Sequence, residues 1–479
     1  MNITMILEMV ASGGDRLVVT ANGRSLTASE LLARARTAAH RFRGVPAVLY
    51  LSPSHLAYPV ALFGAALAGI PFIPLNYRLG GHQLDRLLAR HPGALVLRPA
   101  DLDALLSAEE DTAVTELPEA QDQDHDAVAV VLYTSGTTAE PKAALLRHRH
   151  LMAYVLNTQE FGSADEDDAA LVAVPPYHVA GLMNLLTNLY SGRRLVYLSA
   201  FDAGEWLATA RRERVTHALV VPTMLARIVA EVPADDAGTP TLRSLAYGGA
   251  RTPRPVVERA LRIFPETGFV NAYGLTETAS SVAVLGPDDH RAALAAADPA
   301  VRDRLGSVGR PLPGVEIEIR DADGRPAGAG ETGLVFVRGE QISGEYGGRS
   351  ALDAEGWFPT RDRGRLDADG YLFIEGRADD TIIRGGENIA PAEIEDVLVA
   401  HPGIVEAAVI GVPDPEWGQR IVAVVVGEGD PAEVRQWVRD RLRSSKTPDT
   451  IVFRAELPKT ETGKLLRRTL LAELETTHA

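Results

Sequence analysis

Tyr133-Thr134-Ser135-Gly136-Thr137-Thr138-Ala139-Glu140-Pro141-Lys142 follows the apolar run 128–132 and precedes a segment with helical character. Thr134, Ser135, Thr137 and Thr138, with Gly136 among them, offer hydroxyl and backbone N–H donors at a strand end. Donors so placed can surround anionic oxygens, and Lys142 adds positive charge, so the stretch reads as a phosphate-holding loop. It is not the common P-loop, because no G-x-x-x-x-G-K-[ST] occurs in the chain. A polar strand-to-helix turn that binds nothing is the alternative, and the rest of the chain decides between the two.

Outward from this loop, helices and strands alternate. Apolar and alanine positions recur at helical spacing over 26–42, with polar Thr27-Ala28-Ser29-Glu30 where a helix would begin, and a strand is predicted at 47–51. The same rhythm predicts helix 59–68 and strand 70–75, then helix 82–90 and strand 94–97. Residues 101–126 turn acidic and lose periodicity, which reads as a surface connection. Beyond the loop, strands are predicted at 170–174, 195–198, 218–221, 245–247 and 269–271, with a helix at 203–214. Such alternation implies an α/β domain of mostly parallel sheet covered by helices. Polar or glycine-rich residues fall just after strands, at 134–138, Tyr177-His178, Gly248-Gly249 and 273–277, where open α/β sheets bind ligands. One cleft could collect them.

Over 315–374 the pattern becomes alternating strands with turns such as Asp323-Gly324 and Asp369-Gly370, a small β-rich subdomain. There, GAGETG at 328–333 matches a dinucleotide fingerprint by letters but precedes a strand instead of opening a helix after one. After Arg377-Ala378-Asp379-Asp380 a compact α+β tail begins, with a helix from Pro391, strands at 405–412 and 421–426, and a helix at 433–442. The expected division is a large N-terminal α/β domain, residues 1–378, and a small α+β C-terminal domain, residues 379–479.

Composition narrows the function. The chain of 479 residues is 46% hydrophobic and 23% charged, which excludes a disordered class, and its formal charge of −16 argues against a nucleic-acid or anionic-membrane surface. An anionic ligand must therefore be held by a local pocket. There is no cysteine, which excludes disulfides, thiolate catalysis and Cys-ligated metals; any thiol in the chemistry comes with the substrate. The first ten residues lack a basic region and carry Glu8, so the expected location is the cytoplasm. The uncharged run 56–75 is interrupted by Pro59, Gly64, Gly69, Pro71 and Pro74, which suits a core helix and strand instead of a membrane span.

The loop at 133–142 stands in series with PPYHVAG (175–181), YGGA (247–250), NAYGLTET (271–278), GWFPTRD (356–362), GRADD (376–380), RGGENIAPAEIE (384–395) and PKTETGK (458–464). This set resembles, over nearly the whole chain and in the same order, the adenylate-forming superfamily of acyl-CoA synthetases, peptide-synthetase adenylation domains and luciferases. The resemblance implies that ATP activates a carboxylic acid as an acyl-adenylate with release of pyrophosphate, and that the thiol of coenzyme A (CoA) then displaces AMP. Carboxylate attack on the α-phosphorus brings anion to anion, so positioning and positive charge must do most of the work.

By resemblance, Thr134, Ser135, Gly136, Thr137, Thr138 and Lys142 hold phosphate, while Glu277 holds Mg2+, a hard-cation ligand that leaves room for water and phosphate. Thr276 corresponds to a hydroxyl at the α-phosphate. Tyr273 corresponds to the ring that stacks on adenine, with Asn271 near the exocyclic amine and Gly249 and Ala250 in the same AMP site. Asp362 corresponds to the acceptor of both ribose hydroxyls, with Arg377 near the same sugar. Lys464 corresponds to the lysine that bridges carboxylate, ribose and α-phosphate oxygens. Tyr177, His178, Gly181, Gly248 and Ser281 correspond to positions around the acyl group. Asp379 corresponds to a hinge about which the mobile C-terminal domain swings, carrying Lys464 out and the Gly385-Gly386 loop in to line a CoA channel.

The chain departs from the family pattern at Ala139 and Ala143, where the phosphate loop usually has glycine, and at Arg361, where T-G-D is usual. Alanine at a position needing positive φ would cost of order 1 kcal/mol. The Gly-Gly-Glu-Asn-Ile form of 385–389 is closer to acyl- and aryl-CoA ligases than to amino-acid-activating domains, which favours a stand-alone acid–thiol ligase. The alternatives are an adenylating enzyme that delivers its intermediate to a carrier-protein thiol, an amine or nitrite, and a catalytically silent nucleotide-binding protein.

Overall fold

Short apolar runs bounded by glycine and proline form two sheets of mixed parallel and antiparallel pairing. The computed structural model describes residues 1–107, 124–134, 141–233, 236–384, 387–460 and 463–477. The larger sheet has nine strands in the order Arg310–Pro311, Ser280–Leu285, Gly268–Leu275, Ser244–Gly248, His217–Val220, Ala169–Val172, Arg194–Tyr197, Leu17–Ala21, Arg24–Thr27. Its centre, from Gly268–Leu275 to Leu17–Ala21, is parallel, and antiparallel strands close both edges. The second sheet runs Arg349–Ser350, Glu345–Tyr346, Lys142–Arg147, Val128–Thr134, Phe72–Pro74, Val48–Tyr50, Leu95–Leu97.

Helices cover these sheets as the alternation predicts. Helix Ala28–Arg41 starts at Thr27, whose side chain accepts from Glu30 N while Glu30 accepts from Thr27 N, a reciprocal cap that satisfies two orphan donors. The helix begins two residues later than the periodicity suggests, because Leu26 belongs to strand Arg24–Thr27. Helix Tyr58–Leu67 is buried on every side and is ten residues long, which accounts for the apolar run without a bilayer. No described helix is long and apolar enough to cross a membrane.

Two expectations are corrected. The stretch at 133–142 is not followed by a helix: Lys142–Arg147 returns antiparallel to Val128–Thr134, so the loop is a hairpin connection, and helix His148–Thr158 comes only afterwards. The returning strand gains its other neighbour, Glu345–Tyr346, from some two hundred residues away, and that pairing leaves no local signal. The acidic stretch is also not all connection, since Pro99–Ser107 is a helix that buries Leu102, Leu105 and Leu106.

The antiparallel sheet Val315–Arg320, Gly333–Gly339, Phe358–Leu366, Leu372–Arg377 forms the β-rich subdomain, with GAGETG leading into its second strand as expected. The C-terminal region packs helices Pro391–Val399, Pro431–Arg439 and Arg467–Thr477 around strands Ile404–Asp414, Gly418–Gly427 and Thr450–Arg454. Among the described residues, the clusters of buried side chains fall on one side or the other of the turn Ala378–Asp380, and none spans it. Ion pair Arg251–Asp396 links the two sides.

Candidate active site

The C-terminal ends of the parallel strands bring most of the sequence-predicted residues to one edge. Gly248 ends its strand opposite Ala272, and Gly274 lies opposite Ser281 across the neighbouring pair, so the YGGA and NAYGLTET segments and Ser281 adjoin. A side chain at Gly248 would lie 2.1 Å from the Ala272 carbonyl oxygen, so glycine here serves close backbone approach.

Strand Gly268–Leu275 carries Asn271 and Tyr273, and the 3-10 turn Thr276–Thr278 follows it directly with Thr276 and Glu277. Asn271 donates Nδ2 to Ser307 O at 2.9 Å, which leaves Oδ1 as the acceptor suited to an exocyclic amine. The turn is fixed on several sides. Thr278 Oγ1 accepts from Leu275 N at 2.9 Å, Gln341 donates to Thr278 O and Ser281 O, and Ser343 N and Gly344 N both donate to Glu277 O. Ala279 and Ser280 follow at φ 50° and 113°, strained conformations for residues with a side chain. Glu277 is thereby held with 8% of its surface exposed.

Tyr346 completes this part of the site. Its hydroxyl donates to Glu277 Oε1, and Lys142 Nζ lies 5.4 Å from the centre of its ring. Burial, then the Glu277 carboxylate, push the Tyr346 hydroxyl well above its usual pKa, so it remains a donor. Sequence reasoning missed Tyr346, Gln341 and Ser343. Each comes from a turn-rich segment, remote in sequence from Glu277, whose letters carry no periodicity.

Asp362 and Arg377 face each other across paired strands, with Arg377 Nη1 donating to Asp362 Oδ1 at 2.9 Å. Tyr273 donates its hydroxyl to Asp362 Oδ2 at 2.6 Å, so both oxygens are oriented and each keeps a lone pair. Burial raises the Asp362 carboxyl above its ordinary pKa, against the opposing pull of Arg377, the Tyr273 hydroxyl and Lys464. Lys464, although it belongs to the C-terminal region, thus lies within electrostatic reach of this carboxylate. Its loop is closed by Thr460 N donating to Lys464 O and Lys464 N donating to Thr460 Oγ1, at 2.8 and 3.0 Å. Gly463, at φ 77°, packs so tightly on Thr223 that a Cβ would lie 2.4 Å from its methyl group.

Tyr177 is buried, with its ring 5.7 Å from Tyr77 and 4.6 Å from His178, and His178 precedes helix Val179–Ser191. Gly181, in that helix's first turn, would press a side chain onto the Pro175 carbonyl oxygen at 2.6 Å. Gly249 adopts φ 86°, and Ala250 follows it. Asp379 is exposed in the turn Ala378–Asp380. Thr134 pairs with Lys142 at the mouth of the hairpin, and the loop ends are tied by His91 to Tyr133 at 2.7 Å and Arg90 to Pro141 O at 3.2 Å. Ser135, Gly136, Thr137, Thr138 and Ala139 lie outside the described residues, as do Gly385 and Gly386. Ala143 sits in the returning strand without positive φ, so alanine fits there unstrained, whereas Arg361 takes φ 64°.

The AMP-binding enzyme family model matches residues 8–346, and that of the AMP-binding enzyme C-terminal domain matches residues 393–464. A feruloyl-CoA synthase from an Amycolatopsis species is 37% identical over 470 residues, 93% of either chain. A 2-succinylbenzoate–CoA ligase from Bacillus licheniformis is 32% identical over 484 residues, 95% of this chain and 96% of its own. ATP-bound MatB from Rhodopseudomonas palustris, a solved structure, matches over 100% of both chains with a TM-score of 0.86 at 26% identity. The chain belongs to the AMP-binding enzyme family and is an AMP-forming acid–thiol ligase, which makes an acyl-adenylate and passes its acyl group to CoA.

Proposed function

We propose that the acid is an aryl-bearing carboxylic acid and that Lys464 and the Glu277 turn divide its activation between them. The observation that carries this reading is the approach of Lys464 to the Asp362–Arg377–Tyr273 cluster across the two domains. In that arrangement Asp362 accepts the ribose hydroxyls, Asn271 accepts from the adenine amine and Tyr273 flanks the nucleoside. Lys464 draws the acid's carboxylate and the α-phosphate together. A carboxylate oxygen then forms a bond to the α-phosphorus as the bond to pyrophosphate breaks.

Glu277 fits a magnesium site: its carboxylate is held in place, and Oε2 takes no hydrogen bond among the described residues. One carboxylate with phosphate oxygens and water suits Mg2+, which supplies charge neutralisation of the polyphosphate when bound. In the second half-reaction the C-terminal domain, residues 379–479, turns about Asp379 and withdraws Lys464. The CoA thiol loses its proton and forms a thioester at the acyl carbon as the bond to AMP breaks. CoA is the acceptor in this reading, with a carrier-protein thiol as the alternative partner.

An aryl acid is supported by two of the relatives, the feruloyl-CoA synthase and the 2-succinylbenzoate–CoA ligase, each named for an acid that carries a ring, and by the Tyr77–Tyr177–His178 cluster beside the expected acyl site. The test is pyrophosphate release from ATP and Mg2+ across hydroxycinnamic, benzoic, arylacetic and aliphatic acids, with and without CoA, followed by mass analysis. Aryl-CoA products are expected. A preference for aliphatic acids contradicts the substrate class, and acyl-AMP without thioester contradicts CoA as acceptor.

A further inference from the structure

We propose that Arg361 is a substrate-binding residue that grips the β- and γ-phosphates of ATP and the pyrophosphate released from them. This rests on the adenylating function above. Arg361 stands in strand Phe358–Leu366 between buried Thr360 and buried Asp362, where the pairing with Gly333–Gly339 slips. Leu334 pairs with Arg363 and Phe336 with Pro359, so Thr360, Arg361 and Asp362 together oppose Val335 alone. The bulge is locked by Thr360 Oγ1, which donates to Val335 O at 2.8 Å and accepts from Asp362 N at 3.1 Å. Bulges of this kind re-aim a side chain out of the regular alternation.

The locked bulge puts Arg361 at φ 64°, a conformation that favours glycine. The strain brings the side chain no bonded partner: Arg361 makes no ion pair or hydrogen bond among the described residues and is exposed. Its neighbour on the strand, Arg365, reaches Glu375, and Arg377 has Asp362. A strained position with an unspent guanidinium is poorly explained by folding alone. It is explained by a ligand.

The surroundings select the ligand. Arg361 lines a cavity of about 70 Å³ with Glu277, Tyr346, Thr360 and Arg377. Its open mouth and its lining by two guanidinium groups, a hydroxyl and a carboxylate suit a charged, phosphate-like group. Lys142 stands over the other face of the site on the Tyr346 ring, and Lys464 lies within electrostatic reach of Asp362. Among the described residues Lys142, Arg361, Arg377 and Lys464 meet Glu277, Asp362 and, at Arg377, Asp379, a local positive excess within a chain whose net charge is −16. Asp362 and Arg377 are spent on one another beside the nucleoside, so Arg361, which lines the same cavity as the Glu277 carboxylate, is an unspent cation available with Lys142 to the polyphosphate end. A guanidinium suits phosphate because its donors pair with two oxygens at once.

The test compares wild-type protein with Arg361→Gln and Arg361→Gly by calorimetric titration with ATP, pyrophosphate and AMP, each with Mg2+. Both variants are expected to bind ATP and pyrophosphate about tenfold or more weakly, with AMP affinity unchanged, because AMP lacks the β- and γ-phosphates. Arg361→Gly should also melt no lower than wild type, since glycine relieves the strain, and this separates a binding loss from misfolding. ATP affinity retained in both variants, or ATP and AMP affinity falling in parallel, overturns the assignment. CoA is the other phosphate-bearing ligand, and a raised KM for CoA with ATP binding intact would overturn it equally. Wild-type protein that binds no ATP would overturn the adenylating function itself, whereas ATP binding by wild type and variants alike overturns only the role of Arg361.

Discussion

Asp362 is set between burial, which favours its neutral form, and the Arg377, Tyr273 and Lys464 groups, which favour its anion. Burial prevails, so on acidification Asp362 takes up its proton at a higher pH than an exposed aspartate does. Once protonated, it offers the ribose one acceptor fewer, and AMP affinity should fall progressively on acidification, beginning at a higher pH than the titration of an exposed aspartate would give. Calorimetric AMP titrations from neutral to acidic pH check this, and a flat profile contradicts it. Tyr346→Phe should leave the fold intact and weaken the apparent Mg2+ affinity of pyrophosphate formation by roughly 10- to 100-fold, because Glu277 loses the donor that orients it. An unchanged Mg2+ titration curve would contradict that role. Glu277 and Asp362 were legible because each sits in a dense run of motif letters; Tyr346, 69 residues from Glu277, was not, because its meaning comes from a fold-level pairing.

The loop that presents Lys464 works as a unit: two hydrogen bonds to Thr460 close it, and Gly463 allows it to settle on Thr223. Gly463→Ala places a Cβ at φ 77° against Thr223, so the loop must lift. The expected result is a pyrophosphate-forming half-reaction slower by roughly tenfold or more, with transfer from supplied acyl-AMP to CoA unaffected, since only the first step needs the docked loop. Stopped assays of each half-reaction check this, and an equal slowing of both counts against it. Most elements could be read from local pattern: Thr27 and Glu30 announce their helix, and the prolines at 59, 71 and 74 break the apolar run into core pieces. Lys142–Arg147 could not, because its strand character depends on Val128–Thr134 and Glu345–Tyr346 on either side. The Thr360–Asp362 bulge was hidden for a similar reason, as a slipped register has no signature in one strand alone.

For the whole molecule, stability and activity answer to different groups. Burial holds the imidazoles of His148, His150 and His217 down to about 4, from an ordinary 6.5. Between these values the unfolded chain binds protons that the folded chain excludes, so the stabilisation is complete above pH 6.5 and is lost as the pH falls towards 4. Unfolding near pH 5 should therefore take up protons, measurable as a dependence of the unfolding heat on buffer ionisation enthalpy; no uptake would contradict the buried, neutral histidines. Activity depends instead on how two separately cored regions meet, and the docking contacts Arg251–Asp396 and Gly463–Thr223 were invisible to sequence because they join remote segments. The direct test of that division of labour is Lys464→Ala assayed in two halves. Pyrophosphate formation from ATP and acid should fall by about a hundredfold or more, while thioester formation from supplied acyl-AMP and CoA stays near wild type. Equal loss in both halves would contradict a lysine that serves only the first.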